Sequence, residues 1–517
     1  MPRQAPSDIA TAEFADRRAI ATLALIVVLG AGVQVYRAAN LPCISRDGVF
    51  FVRFAKQLAD APVFYMRAQK KQPGYAWLLL GTHAVIGERL AARDPLAWQR
   101  CGQLLAILGG TAIIVLIFVL ARTLFDARTG LIAAGMAAFW PQCAQLSADV
   151  LSDTLHLAIY LAALLVGLHA LRRRRWFALV ACGLLGGAGY LVRQESLGIP
   201  MAVGACLLWP RRGLSWRRGV TQAAVVCAAF SAAVAPYAIA IGKVMHNKTF
   251  QDLLFGPPAH AAAAAGGPML AGPVEWWTAP WTMLVAWGQS GVFVLSTWAM
   301  IGFLWSRVPR SEPTARRLVA VAAMLQLIAT QLRGASFDVI SGRYMLIPAA
   351  LSIPWAAAGL RCAVESLVER VASRRADARA QRSRPRTIAV AVGLIAVSPM
   401  VYVCLRRPPA GADFLRRAGQ WLADHRRAGD RLLAAPALDC VAFYGDLPHL
   451  VPGGDEATAA SAVTAPGTWF ADYSDSHRLS DAERRFLDRA REAAADREPE
   501  STWRSADGQT LRLYRPQ

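Results

Sequence analysis

Four groups of ionisable side chains interrupt an otherwise apolar chain of 517 residues. Asp47 falls in "SRDGVFFVRFAKQL", and Lys70 and Lys71 follow about twenty residues later in "KKQPGYAWLLL". Asp149 and Asp153 are spaced i, i+4, with His156 three residues further, so one helical face can carry all three. Arg193 and Glu195 close a glycine-rich apolar run, and Arg343 and Tyr344 open another. A positioned carboxylate can take a proton from a hydroxyl, and an arginine fork or a lysine can hold a phosphate. Plainer readings stand beside these. Asp47 and Asp153 suit helix N-caps, Lys70 and Lys71 a solvated loop, Arg193 and Arg343 snorkelling to an interface, and Glu195 a counter-charge that holds Arg193. The Asp149, Asp153 and His156 group also suits a divalent cation, the one metal site the sequence offers. Residue type and spacing leave these alternatives open.

The elements that must position these residues are long apolar runs. The chain is 55% hydrophobic and 18% charged, whereas about a quarter of a soluble domain is charged. Segments such as "GQLLAILGGTAIIVLIFVLA" approach the roughly 20 apolar residues that cross a bilayer as a helix. The runs predict an all-α polytopic membrane protein with about eleven spans, near residues 19–36, 101–120, 130–148, 154–171, 176–192, 196–209, 219–241, 286–305, 317–332, 344–361 and 387–405. This excludes a soluble enzyme, a disulfide-stapled secreted module and a disordered chain. The net charge of +21 does not point to nucleic acid, because its excess sits in short loops between spans. Arg17 and Arg18, Arg122 and Arg128, Arg172 to Arg175, Arg211 to Arg218, Arg307 to Arg317 and the run from Arg361 to Arg386 all fall on one side with this count. The positive-inside rule then places the N-terminus in the cytoplasm and the C-terminus outside, in the cytoplasmic (inner) membrane of a cell envelope.

Three pieces face outward on that reading. In the first loop, Val49, Phe50, Phe51, Phe54, Ala55 and Leu58 share one face and Arg53, Lys56 and Asp60 another, which predicts an amphipathic helix lying in the membrane interface. An Ala/Gly/Pro-rich loop over 242–285 ends in Trp276, Trp277 and Trp281, which suit an interfacial anchor or a sugar-stacking platform. The tail divides from the membrane module, residues 1–405, as a small α/β lobe over 406–517. It is built from "ADFLRRAGQWLADHRR" as a helix, "DRLLAAP" as a strand, "SDAERRFLDRAREAAA" as a helix capped by Ser480 or Asp481, and "TLRLYRP" as a closing strand. Most of the nine cysteines lie in apolar runs and read as small hydrophobes. Cys43 and Cys440 fall in outward segments, but the sequence gives no ground for pairing them.

The segment "SRDGVFFVRFAKQL" with "KKQPGYAWLLL" resembles the first outer loop of lipid-linked-sugar glycosyltransferases of the GT-C class, in the branch of protein O-mannosyltransferases and aminoarabinose–lipid A transferases. Asp47, Phe51, and Lys71 with Pro73 match its places. "AFWPQCAQLSADVLSDTLHLAIYL" resembles the turn in which an acidic residue opens the fourth span, matched by Asp153; "GLLGGAGYLVRQESLGIP" matches at Arg193 and Glu195, and "SGRYMLIPAALSIPWAAAGL" at Arg343 and Tyr344. The likeness covers most of residues 20–365, in order. Two places depart from it. Gly48 and Phe50 stand where the family carries Glu and Arg, so Arg53 or Lys56 would have to supply that positive charge, and Lys71-Gln72-Pro73 replaces a double proline.

The resemblance implies transfer of a sugar from a polyprenyl-phosphate donor to a hydroxyl of a lipid, glycan or protein acceptor at the bilayer's outer face. Asp47 and Asp153 are then the catalytic candidates. Lys70, Lys71, Arg193 and Arg343 are candidates for the donor phosphate, and Arg53, Glu195, Tyr344, Asp149 and His156 support them. An O-antigen ligase or polymerase would place Arg and His in a large late outer loop, but 242–285 holds only His246 and His260. A transporter would gather its polar groups near the bilayer midplane, and here they gather at the outer surface.

Overall fold

The structure, a computed structural model, describes residues 6–69, 71–209, 215–243, 278–305, 311–337, 342–373, 384–407, 413–450, 457–474, 481–505 and 508–516. Lys70, Ser480, Trp276, Trp277 and most of the Ala/Gly-rich loop lie outside these residues. The membrane part runs α1 (Pro6–Ala39), α2 (Arg46–Asp60), α3 (Pro62–Ala68), α4 (Gly74–Leu90), α5 (Asp94–Leu124), α6 (Ala127–Ala138), α7 (Pro141–Ser147), α8 (Asp153–Arg173), α9 (Trp176–Val192), α10 (Gly198–Leu208), α11 (Trp216–Ile241), α12 (Ala279–Ser290), α13 (Val294–Leu304), α14 (Pro313–Phe337), α15 (Leu346–Ser373) and α16 (Arg384–Leu405).

The expected eleven spans are not there. Among the described residues six helical segments are long and apolar enough to cross a bilayer: Arg17–Ala39, Asp94–Leu124, Asp153–Arg173, Trp216–Ile241, Pro313–Leu332 and Gly342–Arg370. The pair α12 and α13, bent by 110° at Gly291–Phe293, would make a seventh. Apolar runs report burial in lipid or protein alike, and several of these runs break. The run over 130–148 divides at Trp140-Pro141, where proline starts a new helix and cannot continue the old one. The run over 196–209 is a 3₁₀ turn followed by an 11-residue helix, too short to span. Residues 176–192 form a 17-residue apolar helix, also short of that test.

The charges nevertheless divide between two ends. Arg172 pairs with Glu312 at 3.1 Å, Glu312 N donates to Leu124 O at 2.9 Å, and Arg361 pairs with Asp126. These contacts gather the C-terminal ends of α5 and α8 and the start of α14 at one end of the bundle. Asp153 begins α8, and its 21 residues put about 30 Å between Asp153 and that arginine-rich end.

The lobe contains α17 (Asp413–His425), β1 (Arg431–Ala434), α18 (Asp439–Gly445), β2 (His449–Leu450), α19 (Ala457–Thr464), β3 (Thr468–Tyr473), α20 (Asp481–Ala493), β4 (Ser501–Arg504) and β5 (Thr510–Tyr514). Its sheet has the order β2-β1-β3-β5-β4. β1 is parallel to β2 and β3, and β5 is antiparallel to β3 and β4. The lobe is not a free appendage. Phe414, Val441, Tyr444 and Leu513 share one buried cluster with Ile44, Phe51, Phe54 and Tyr75 of the first loop and α4. Tyr444 Oη donates to Gln99 Oε1 at 2.9 Å and accepts from Ile44 N at 3.0 Å. The α2 helix is therefore held between the bundle and the lobe.

Candidate active site

The amphipathic pattern of 46–60 forms α2 as expected, burying Val49, Phe51, Val52, Phe54, Ala55 and Leu58. Asp47 is not its cap. Ser45 is: its side chain accepts from Gly48 N at 3.2 Å. Asp47, in the first turn, is free to face the cations. Lys71 Nζ donates to its Oδ1 at 2.8 Å and Arg343 Nη1 to its Oδ2 at 2.5 Å. Lys71 also stands over the rings of Phe50 and Phe51, 4.5 and 5.1 Å from their centroids, and Phe51 packs edge-on against Tyr75 at 4.8 Å. Burial alone would raise the Asp47 carboxyl, but Lys71 and Arg343 outweigh it and hold it at about 2.

Arg343 lies on the short 3₁₀ turn Gly342–Met345 that leads into α15. Its guanidinium also grips Asp153, with Nη2 on Oδ2 at 2.6 Å and Nε on Oδ1 at 3.2 Å. Arg193 Nη1 donates to Asp153 Oδ1 at 2.8 Å and its Nη2 to Glu195 Oε1 at 2.9 Å. The side chains thus alternate in sign along Lys71, Asp47, Arg343, Asp153, Arg193 and Glu195. Asp153 is 2% exposed whereas Asp47 is 37% exposed, so the interior carboxylate anchors both arginines and the outer one meets solvent.

Two glycines allow this convergence. A Cβ on Gly109 of α5 would stand 2.6 Å from Leu155 N, so only glycine lets the start of α8 lie so close; Thr154 Oγ1 then donates to Ala106 O at 2.9 Å. A Cβ on Gly74 would stand 2.6 Å from Leu191 O, which brings the start of α4, next to Lys71, against the end of α9, next to Arg193.

The other expected residues are placed differently. Asp149 precedes α8 instead of sharing its face. It accepts from Ser45 N at 3.3 Å and from Val150 N at 2.7 Å, and so ties the loop before α8 to the residue that caps α2. Burial pushes its carboxyl up in spite of these bonds. His156 Nε2 is paired with Ser196 Oγ at 2.9 Å. Asp149, Asp153 and His156 do not converge, and among the described residues no group of three His, Cys, Asp or Glu could hold a metal ion. Arg53 pairs with Asp439 of the lobe at 3.4 Å and Lys56 with Asp94 at 2.7 Å; neither supplies the charge beside Asp47. Tyr344 lines a crevice of about 10 Å³ with Asp153, His156, Arg193, Glu195, Arg343 and Gln326, room for about one water. Gln326, Ser196 and Ser45 were not anticipated. Ser45 carried the usual signal of a serine just before a helix, and Gln326 that of a polar side chain inside an apolar run.

Residues 70–239, about a third of the chain, match the family described as dolichyl-phosphate-mannose-protein mannosyltransferase. Comparison with curated protein sequences gives no match. Among solved structures, the apo oligosaccharyltransferase of Archaeoglobus fulgidus aligns with a TM-score of 0.58 at 13% identity, over 88% of this chain and 69% of that one. The oligosaccharyltransferase AglB from the same archaeon, in complex with an inhibitory peptide and a dolichol-phosphate, aligns at 0.56 and 12% identity, over 89% and 69%. ArnT from Cupriavidus metallidurans bound to undecaprenyl phosphate aligns at 0.55 and 16% identity, over 95% of this chain and 98% of that one. The chain has the fold of the GT-C class of membrane glycosyltransferases, shared with these oligosaccharyltransferase and ArnT structures.

Proposed function

We propose that the chain is an integral-membrane glycosyltransferase that moves a sugar from a polyprenyl-phosphate donor to a hydroxyl of a lipid, glycan or protein acceptor, at the outer face of the cytoplasmic membrane, by a single inverting displacement with Asp47 as general base. The observation that carries this reading is the sharing of Arg343 between outer Asp47 and buried Asp153, at the end of the bundle opposite the arginine-rich loops. In the resting protein both oxygens of Asp47 are occupied by cations. A donor phosphate draws Lys71 and Arg343 toward itself, with Arg193 behind them. Asp47, stripped of those partners and still partly buried, becomes more basic. The acceptor O–H gives its proton to Asp47, its oxygen bonds to the anomeric carbon, and the bond from that carbon to the phosphate oxygen breaks. The phosphate leaves as an anion stabilised by the same cations. Asp153 orients both arginines, and the lobe closes over α2.

The test is Asp47→Asn in cells lacking the wild-type gene, with mass spectrometry of envelope lipids, glycans and glycoproteins, and polyprenyl phosphate binding measured on the purified variant. The product that disappears with the gene stays absent in Asp47→Asn, while protein level and polyprenyl phosphate binding are kept. Near-normal product in the variant would reject Asp47 as base.

A further inference from the structure

The lobe meets the first loop through α18, and two thiols lie at that junction. Ile44 N donates to Tyr444 Oη at 3.0 Å, and Arg46 pairs with Asp439 at 3.5 Å. Cys43 directly precedes Ile44, and Cys440 follows Asp439 one helical turn before Tyr444. Cys440 is buried with Ile44, Val441 and Tyr444 in one apolar cluster, and Cys43 packs half-buried against it. The Cys43 thiol donates to Ile44 O at 3.4 Å, and the Cys440 thiol is the neighbour that acts most strongly on it. We propose that Cys43 and Cys440 form a disulfide that fastens the lobe to the loop carrying Asp47. The inference rests on the functional reading in one respect, the placement of both segments outside the cytoplasm, where disulfides form and persist.

The chemistry is thiol–disulfide exchange with a dithiol–disulfide oxidant of that compartment. The Cys43–Cys440 S–S bond forms as the oxidant's S–S bond breaks, and the oxidant leaves as a dithiol with the two protons and two electrons. The neighbouring Cys440 thiol and burial push the Cys43 thiol well above its ordinary value, so with the lobe seated it is a weak nucleophile. Once formed, the bond is shielded from reductants by the apolar cluster. Its consequence is mechanical: the residues just ahead of Asp47 gain a covalent hold to complement Tyr444 and Asp439.

Full-length protein in native membranes, denatured in SDS with a polymer-tagged maleimide, tests this by gel shift. Of the nine cysteines, seven react without reductant and all nine after reduction. In Cys43→Ser and in Cys440→Ser, eight react under either condition. Nine reactive thiols without reductant, or a reducible pair that survives in Cys43→Ser, overturns the inference. A separate label tells whether the functional reading falls with it. Arg489 on the lobe surface is 61% exposed, and Arg489→Cys reacts with an impermeant maleimide on cells with an opened outer layer if the lobe faces outward. Labelling together with nine free thiols sinks the disulfide alone; no labelling sinks the outward placement too.

Discussion

Arg343→Lys is the most discriminating change in the site. The guanidinium makes three bonds to two carboxylates, one to Asp47 and two to Asp153, and a lysine ammonium is a single point of charge that cannot span both. It goes to Asp153, because an unpaired carboxylate that is 2% exposed costs more than one that is 37% exposed. Asp47 then keeps only Lys71, and an arriving phosphate meets one cation fewer. A hydrogen bond to a charged group contributes about 1.5–3 kcal/mol, which weakens phosphate binding by roughly 10- to 150-fold. Polyprenyl phosphate titrated into the wild type and Arg343→Lys, each in nanodiscs, reads this directly. A Kd within about threefold of wild type would refute the shared-arginine argument, since removing one full donor cannot cost so little. The same loss should shrink in an Asp153→Asn background, where the buried carboxylate no longer competes for the lysine; such non-additivity marks residues that act through one another.

Other consequences follow from the same contacts. With Lys71 and Arg343 on it, the Asp47 carboxyl sits at about 2, below its ordinary value near 4, so its pairing stabilises the fold fully above about pH 4 and is lost as pH falls toward about 2. The acid limb of kcat should lie higher in pH than that of kcat/KM, because donor binding removes the cations; coincident limbs would contradict this. Gly109→Val drives a side chain into the Leu155 backbone, costing about 1–3 kcal/mol and lowering both thermal stability and transfer, whereas Gly135→Ala, with nothing within 4 Å of the new Cβ, leaves both intact. Asp439→Ala leaves Arg46, Arg53 and His449 without their shared carboxylate and should loosen the lobe, seen as faster proteolysis between residues 406 and 430. Arg53→Ala, which removes a half-exposed partner and leaves Asp439 with Arg46 and His449, should change stability by less than about 1 kcal/mol.

How much of this was legible in the chain depended on whether the signal was local. The α2 helix was legible because its apolar side chains repeat at helical spacing, and α17, β1, α20 and β5 of the lobe were legible for similar reasons. Span number was not, because hydrophobicity measures removal from water and not passage through a bilayer. The run over 130–148 is as apolar as a span, yet Pro141 divides it. Nor can an apolar run report a 110° bend such as that between α12 and α13.

Partnership was the hardest thing to read. Arg343 lies 296 residues from Asp47 and 190 from Asp153, and nothing in the intervening chain announces that one guanidinium serves both. The sequence did hold a reason to look beyond α2 for the cation. Arg53 is six residues after Asp47 on that helix and Lys56 nine, and at 3.6 residues per turn those offsets turn a side chain by about 240° and 180° from Asp47. Once Asp47 faces Lys71 and Arg343, neither neighbour can. Helical phase sends Arg53 to Asp439 and Lys56 to Asp94. The charge beside Asp47 must then come from another element, one whose cation is itself fixed by a second, buried carboxylate. Asp153 meets that requirement, because it opens a helix packed so closely on Gly109 that no side chain fits between them.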